Sequence, residues 1–304
     1  ATIGGTGNYQ FYQNQLGPIR FKLLKESSNN TKAVIDITGA INKSTGYQQE
    51  ANHVNPSECV DYCTPQKIVN DFSYDKGWTD AGIFPRTFAD VDGDGKIDII
   101  GFGHGAVMVS LNKGSYFQAP QWAISQFCVS QNYIDNNKHP RIVKDINKDG
   151  KADIIGFGPN GIQIAYGNSN GTFNNFKTLT SDFTQKRPYQ SDWPEGWSDF
   201  YNYPRFIEDM NGDGWPDIIG FANNAVWVVL NNNGFSSVNG SHRWVNNFTK
   251  AQGWQNTNNY MRLVADMNND GKADIVGFGG NGVYVSLTNS SGIGAVNPVL
   301  WSSD

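Results

Sequence analysis

The stretch Phe88-Ala-Asp-Val-Asp-Gly-Asp-Gly-Lys-Ile-Asp-Ile-Ile-Gly-Phe102 decides the reading of this 304-residue chain, because it recurs three more times without a gap. The other copies are Val143-Lys-Asp-Ile-Asn-Lys-Asp-Gly-Lys-Ala-Asp-Ile-Ile-Gly-Phe157, Ile207-Glu-Asp-Met-Asn-Gly-Asp-Gly-Trp-Pro-Asp-Ile-Ile-Gly-Phe221 and Val264-Ala-Asp-Met-Asn-Asn-Asp-Gly-Lys-Ala-Asp-Ile-Val-Gly-Phe278. Their first aspartates, Asp90, Asp145, Asp209 and Asp266, stand 55, 64 and 57 residues apart. A self-similar period of this size marks a repeat architecture.

The register extends outward from the acidic core. Twelve positions before each first aspartate stands an aromatic residue (Trp78, Tyr133, Trp197, Trp254), and four before it an arginine (Arg86, Arg141, Arg205, Arg262). Seventeen positions after it an alternating strand begins, as in Val107-Met-Val-Ser-Leu111 and Val226-Trp-Val-Val-Leu230. Each unit therefore reads as a short apolar run, a Gly/Asn turn and a period-two strand, which together make a hairpin. The connector supplies an outer strand such as Trp244-Val-Asn-Asn-Phe248. One unit cannot cover its own apolar face, so neighbours must stack, and radial stacking leaves only short edges. The expected fold is all-β, a β-propeller with at least four blades built on these loops and room for five to seven.

Composition agrees with short strands and tight turns: 34 Gly, nine Trp and only 17% charged residues. The formal net charge is −5, with no Lys/Arg cluster long enough to follow a phosphate backbone, which argues against nucleic acid. No run of 18 apolar residues occurs, so no membrane span is expected.

Thirteen of the 28 Asp and Glu fall in the four loops, where bound cations would neutralise them. A hard divalent cation such as Ca²⁺ takes six to eight oxygens, and a tight loop supplies them from alternate positions. In the first loop Asp90, Asp92, Asp94 and Asp98 hold positions 1, 3, 5 and 9, with the carbonyl of Lys96 at position 7. The corresponding sets are Asp145, Asn147, Asp149, Lys151 and Asp153; Asp209, Asn211, Asp213, Trp215 and Asp217; and Asp266, Asn268, Asp270, Lys272 and Asp274. Gly95, Gly150, Gly214 and Gly271 follow position 5, where the chain must turn sharply. Position 3 is Asp once and Asn three times, so the first loop is the most strongly charged. About four Ca²⁺ ions in a structural role are expected. An EF-hand is excluded, since its bidentate Glu at position 12 is replaced by Gly101, Gly156, Gly220 and Gly277.

The D-x-[DN]-x-D-G-x-x-D-[IV]-[IV]-G-F unit resembles the FG-GAP and VCBS-type repeats of integrin α-chain propellers and secreted adhesins. The Arg-x-x-x-Asp lead-in, the Gly-Phe-Gly run and the Val-x-Val-Ser-Leu strand are more closely similar to the fungal Psathyrella velutina lectin family, whose propeller has seven blades. That resemblance covers about residues 70–290 and implies calcium in the loops and sugar binding between adjacent blades.

Sugar sites pair an aromatic platform with hydrogen-bonding groups. The candidates are Trp78, Arg86, Tyr133, Arg141, Trp197, Arg205, Trp254 and Arg262, which recur where blades should meet; the alternative for each is a core or bracing role. Catalysis finds little support. None of the four His recurs at one repeat position, His139 reads as a lone surface residue, and carboxylate pairs occur only inside the loops. The expected function is therefore that of a secreted calcium-binding lectin recognising glycans or glycoproteins, with N-acetylhexosamine-type glycans favoured. The alternatives are an integrin-like adhesion propeller and the binding module of a larger toxin or hydrolase.

Residues 1–70 lack an acidic loop and form a separate N-terminal region, a degenerate blade or a closure segment, before the repeats of 71–304. Ala33-Val-Ile-Asp-Ile-Thr-Gly-Ala-Ile-Asn-Lys-Ser-Thr-Gly-Tyr-Gln48 faintly echoes the Ala106–Gln118 strand and turn. Val299-Leu-Trp-Ser-Ser-Asp304 reads as the start of an outer strand that either closes a ring with the N-terminal region or ends a fragment. Cys59 and Cys63 are spaced for a small disulfide or half a zinc site, the disulfide being favoured, and Cys128 is left as a buried thiol. A leaderless start at Ala1 and six sequons (Asn29, Asn42, Asn170, Asn239, Asn247, Asn289) favour secretion.

Overall fold

The computed structural model describes residues 67–181, 183, 197 and 199–302, together with two short strands near the N-terminus. The chain divides into two units, Ala1–Pro65 and Gln66–Asp304. In the first unit β1 (Phe21–Leu23) pairs antiparallel with β2 (Ile35–Ile37), in the register Phe21 to Ile37. The remainder of the Ala33–Gln48 echo and the Cys59/Cys63 pair lie outside the described residues.

The second unit holds four four-stranded antiparallel sheets, one per acidic loop. The first is β3 (Arg86–Ala89), β4 (Asp98–Phe102), β5 (Val107–Ser110) and β6 (Gln121–Ile124). The second is β7 (Arg141–Lys144), β8 (Asp153–Gly158), β9 (Gly161–Gly167) and β10 (Phe173–Thr180). The third is β11 (Arg205–Glu208), β12 (Asp217–Phe221), β13 (Val226–Val229) and β14 (His242–Val245). The fourth is β15 (Arg262–Ala265), β16 (Asp274–Gly279), β17 (Gly282–Ser286) and β18 (Val299–Ser302). Each sheet is a simple meander, so these are the blades of a β-propeller. The outer strand of the third blade ends at Val245, short of the Trp244–Phe248 span read from sequence. Val299–Ser302 is the outer strand of the fourth blade and pairs with β17.

Each acidic loop joins strands one and two of its blade, and the register there repeats: Ala89 faces Asp98, Lys144 faces Asp153, Glu208 faces Asp217 and Ala265 faces Asp274. Strand two is the central element. β4, β8 and β12 are buried at every residue, because one face packs on each neighbouring layer. The core accordingly lies between sheets. Ile100, Phe102, Val107 and Val109 of the first blade pack with Tyr133, Val143, Ile154 and Ala165 of the second. Two further clusters join the second blade to the third and the third to the fourth. Each fully buried Ile or Val contributes about 1.5–3 kcal/mol, so these inter-blade layers are the main source of stability.

Candidate functional site

The four acidic loops share one hydrogen-bond plan. The position-1 carboxylate accepts from the amide of the glycine at position 6: Asp90 from Gly95 at 2.8 Å, Asp145 from Gly150 at 2.9 Å, Asp209 from Gly214 at 2.6 Å and Asp266 from Gly271 at 3.0 Å. Those glycines have φ between 81° and 84°, a left-handed conformation that side chains disfavour. The position-5 carboxylate accepts from the amide of residue 7 at 2.8–3.0 Å in each loop.

The position-9 aspartates do something the sequence reading did not separate from metal binding. Asp98, Asp153, Asp217 and Asp274 are all 0% exposed. In each, one oxygen accepts from the amide of position 2 and the other from an amide at the end of strand three or two residues beyond it. The amides are Val91 and Asn112, Ile146 and Gly167, Met210 and Asn231, and Met267 and Thr288, at 2.7–3.0 Å. The buried carboxylate thus ties loop to hairpin. Burial, with further push from the neighbouring loop aspartates, raises Asp153 and Asp217 to about 7, and Asp98 and Asp274 in the same direction.

In the first loop Asp90, Asp92 and Asp98 place ligand oxygens within 4.8 Å of one another; among the described residues it is the only such trio. Its extra charge has its own partner, since Lys113 Nζ lies 2.9 Å from Asp92. The position-5 aspartates point instead to lysines: Lys96 to Asp94 at 2.9 Å, Lys151 to Asp149 at 2.8 Å and Lys272 to Asp270 at 3.0 Å. The Lys96 hydrogen bond holds Asp94 below the usual carboxylate range. In the third loop Trp215 takes the lysine position, and Lys148 from the second loop lies 4.3 Å from the centre of its ring.

The arginines and aromatics expected to meet sugar are mostly interior. Trp78, Tyr133 and Trp197 are 8%, 1% and 2% exposed, and Arg141, Arg205 and Arg262 are 6%, 1% and 0%. Trp254 is half-buried, while Arg86 is exposed and bonds the Phe72 and Trp78 carbonyls at 2.9 and 3.1 Å. A ring with so little free face cannot serve as a sugar platform, so Trp78, Tyr133 and Trp197 are corrected to structural roles.

Each aromatic instead lies on the glycine at loop position 12. A Cβ added at Gly101 would stand 2.4 Å from Trp78, and one at Gly277 would stand 2.6 Å from Trp254. Each buried arginine bridges two connectors. Arg141 donates to Phe127 O (3.3 Å) and Ile83 O (3.4 Å), Arg205 to Tyr203 O (3.2 Å) and Lys138 O (3.3 Å), and Arg262 to Phe248 O and Tyr201 O (both 3.2 Å). Each also covers the phenylalanine of the preceding blade, Phe102, Phe157 or Phe221, at 5.1–5.5 Å. Burial draws Arg205 down to about 9 and the other two to about 10, so all remain charged at neutral pH. The arginine is a junction staple.

Three repeat features escaped the sequence reading. Phe72, Phe127, Phe183 and Phe248 are buried with φ of 57–62°, uncommon for a bulky residue, and each packs on its blade's Trp or Tyr at 4.7–5.7 Å. An Asp or Asn precedes three of the four, a signal visible in Asp71-Phe72, Asp182-Phe183 and Asn247-Phe248. Two residues past each aromatic, Asp80, Asp135, Asp199 and Asn256 close turns onto the amides of Gly82, Asn137, Tyr201 and Asn258 at 2.7–3.1 Å. Consecutive connectors then bond to one another: Asn136 N to Gly82 O at 2.6 Å, Phe200 N to Asn137 O at 2.9 Å and Thr257 N to Tyr201 O at 2.7 Å. Finally, Phe84, His139, Tyr203 and Tyr260 occupy one aromatic slot, each edge-on to the Trp or Tyr at 6.0–6.3 Å.

His139 is therefore not a surface residue. It is 7% exposed, because its repeat position calls for a core ring, and neither ring nitrogen has a hydrogen-bond partner. Burial first, then the charges of Arg205 and Arg141 with Lys138 against the opposing Asp135, lower it to about 4. As pH falls the unfolded chain takes up this proton first. Stability is full above the unfolded value near 6.5 and is lost toward 4, by up to about 3 kcal/mol. His139→Phe, the residue of the first blade's slot, should abolish that part of the acid sensitivity. Denaturant melts of both proteins at about pH 7 and pH 4.5 test this, and equal losses would exclude His139 as the source. Cys128 is a free thiol at 0% exposure, as expected.

The meandering four-stranded sheets and the repeated loops define a β-propeller, and residues 209–277 match the FG-GAP-like repeat. The chain is similar to a lectin from Agrocybe aegerita described as specifically recognising non-reducing terminal N-acetylglucosamine. Identity is 34% and the TM-score 0.71, over 79% of this chain and 57% of that one. The chain thus spans little more than half the length of that lectin. More distant are a Photorhabdus luminescens Tc holotoxin pore (17% identity, 68% and 8% of the two chains, TM-score 0.44) and a Bacillus licheniformis rhamnogalacturonan lyase (13%, 73% and 52%, 0.36). Likeness at that level carries no argument. No curated protein sequence matches the chain. Among the described residues no helix is long and apolar enough to cross a membrane.

Proposed function

We propose that this chain is a secreted, calcium-loaded lectin that binds glycans ending in N-acetylhexosamine, without catalysis of its own. The observation that carries the reading is the 34% identity, over 79% of the chain, to a lectin that recognises terminal N-acetylglucosamine. Calcium would be held by the loop carboxylates, with the Asp90, Asp92 and Asp98 trio the best-formed set. The fit rests on charge as well as distance: a carboxylate raised toward neutrality by burial, and further by its acidic neighbours, is a group that a divalent cation would relieve. Weak loop sites of this kind fill at the calcium levels found outside cells. Exposed sequon residues such as Asn170 and Asn239 fit the same setting, whereas Asn247 does not, because its partner Thr249 is fully buried.

With the arginine and most of the aromatic set inside, the groups left to meet sugar at a blade junction are those on the outer surface of the connectors. Tyr201 is 48% exposed at the junction of the third and fourth blades, beside Asn202 and Asn256. An exposed ring among amides offers a pyranose both a stacking face and hydrogen bonds. A glycan array in calcium and in EDTA tests the proposal. Retention of N-acetylglucosamine-terminated glycans in calcium, weakened at least tenfold by EDTA, is the expected result. No retention of any glycan in calcium would overturn it.

A further inference from the structure

The second blade departs from the others at two facing positions. Where the first, third and fourth blades carry Trp78, Trp197 and Trp254, it has Tyr133; on strand three, where they carry Met108, Trp227 and Tyr284, it has Gln163. The Tyr133 hydroxyl donates to Gln163 Oε1 at 2.7 Å, whereas Tyr284 turns its hydroxyl to Asn281 at 2.7 Å. A smaller ring and an amide fill less space than an indole and a large apolar side chain, and a cleft opens beside them. It has a volume of about 120 Å³ and is lined by the amides of Gln126, Gln131, Asn132, Asn160 and Gln163 and by Phe176. Phe176 is 39% exposed, and no charged side chain lines the cleft.

We propose that this cleft is a saccharide subsite particular to the second blade, taking one neutral N-acetylated sugar residue. The inference rests on the lectin reading of the chain and adds to it a location, between the connector that enters the second blade and that blade's β8–β9 turn. Five amides offer both donors and acceptors to hydroxyl and acetamido groups, and the exposed ring offers an apolar face. A phosphate, a carboxylate or a cation would meet no countercharge there. With Gln163 Oε1 taken by Tyr133, its NH₂ is the donor left for the ligand, so the buried phenol positions the amide.

The test uses the double variant Tyr133→Trp, Gln163→Met, which installs the first blade's own pair, and the disaccharide N,N′-diacetylchitobiose as probe. In the unmodified protein, titration should shift the side-chain NH₂ resonances of Gln163 and Asn160 saturably. Calorimetry of the variant should show one equivalent of sugar fewer at unchanged melting temperature. Sugar binding with unchanged stoichiometry and unmoved Gln163 and Asn160 resonances would overturn the cleft and leave the lectin reading standing. An absence of binding in the unmodified protein at millimolar sugar would overturn both. If the double variant melts early, Asn160→Ala, on the exposed turn between β8 and β9, replaces it. A loss of at least tenfold in affinity at one site is then expected, and an unchanged isotherm overturns the cleft.

Discussion

Removing divalent cations with EDTA should lower the melting temperature of this protein by about 20 °C or more, and calcium should restore it. The size follows from linkage. A site held at a hundred times its dissociation constant adds about 2.7 kcal/mol, so four proposed sites add about 11 kcal/mol. At about 2–4 °C per kcal/mol for a domain of this size, the shift is large. The loops favour this result because they hold a surplus of carboxylate: the first contains four aspartates against the nearby Lys96 and Lys113. In the absence of a cation the position-9 aspartates still hold their two backbone amides, so the blades should loosen from the loop side while strands two and three stay paired. Hydrogen exchange would show this as faster exchange at Gly95, Gly150, Gly214 and Gly271 than at Ile100 or Ile155. A shift below about 3 °C would remove calcium from the account of stability.

Replacing Gly220 by alanine should destabilise the protein by about 3 kcal/mol or more, with a fall in melting temperature of about 6–12 °C. The new Cβ would stand 2.1 Å from Cε1 of Phe183 and 2.5 Å from Cη2 of Trp197. Neither ring has room to retreat, since they are 1% and 2% exposed and stack at 4.7 Å. Phe183 is further fixed by its left-handed backbone at φ 62°. Gly105 is the control, because its added Cβ would meet only Trp122, at 3.8 Å. Equal effects of Gly105→Ala and Gly220→Ala would show that the glycine matters for backbone freedom rather than for the ring lying on it.

Much of this architecture was legible in the sequence because it rests on local rules. A glycine after the third acidic position, alternation in strand three and a fixed offset from each first aspartate located loop, hairpin and blade. The arginines and aromatics were placed correctly in the repeat, and for the buried Trp78, Tyr133, Trp197, Arg141, Arg205 and Arg262 the core or bracing alternative fits the structure. An arginine that ends on main-chain carbonyls, as Arg262 does on Phe248 O and Tyr201 O, has no acidic partner to reveal it in sequence. The left-handed phenylalanines escaped for a different reason: turn rules assign that conformation to Gly and Asn, and only tertiary packing holds Phe127 or Phe248 there. In the third blade the signal was also displaced, since Phe183 and Trp197 are 14 residues apart where Phe127 and Tyr133 are six. His139 was misjudged because its residue type, and not its slot among Phe84, Tyr203 and Tyr260, guided the reading.

The blade junctions are not joined alike. Ala152 N donates to Asp90 O at 2.7 Å across the first junction, and Ala273 N to Asp209 O at 2.8 Å across the third. The second junction has Pro216 at the donor position, which carries no N–H, and Asn231 Nδ2 reaches Ile146 O at 2.8 Å instead. Bonds of the first kind belong to the backbone and survive any exchange of side chain short of proline. The second depends on one amide, and a single change in the gene, Asn to Asp, removes it and sets a carboxylate against a carbonyl in a dry interior. Exchange of Asn231 should therefore cost this seam its buried loop-to-loop bond, while Lys144 Nζ on Ile207 O (2.7 Å) and Lys177 Nζ on Phe235 O (3.0 Å) continue to hold the two blades together.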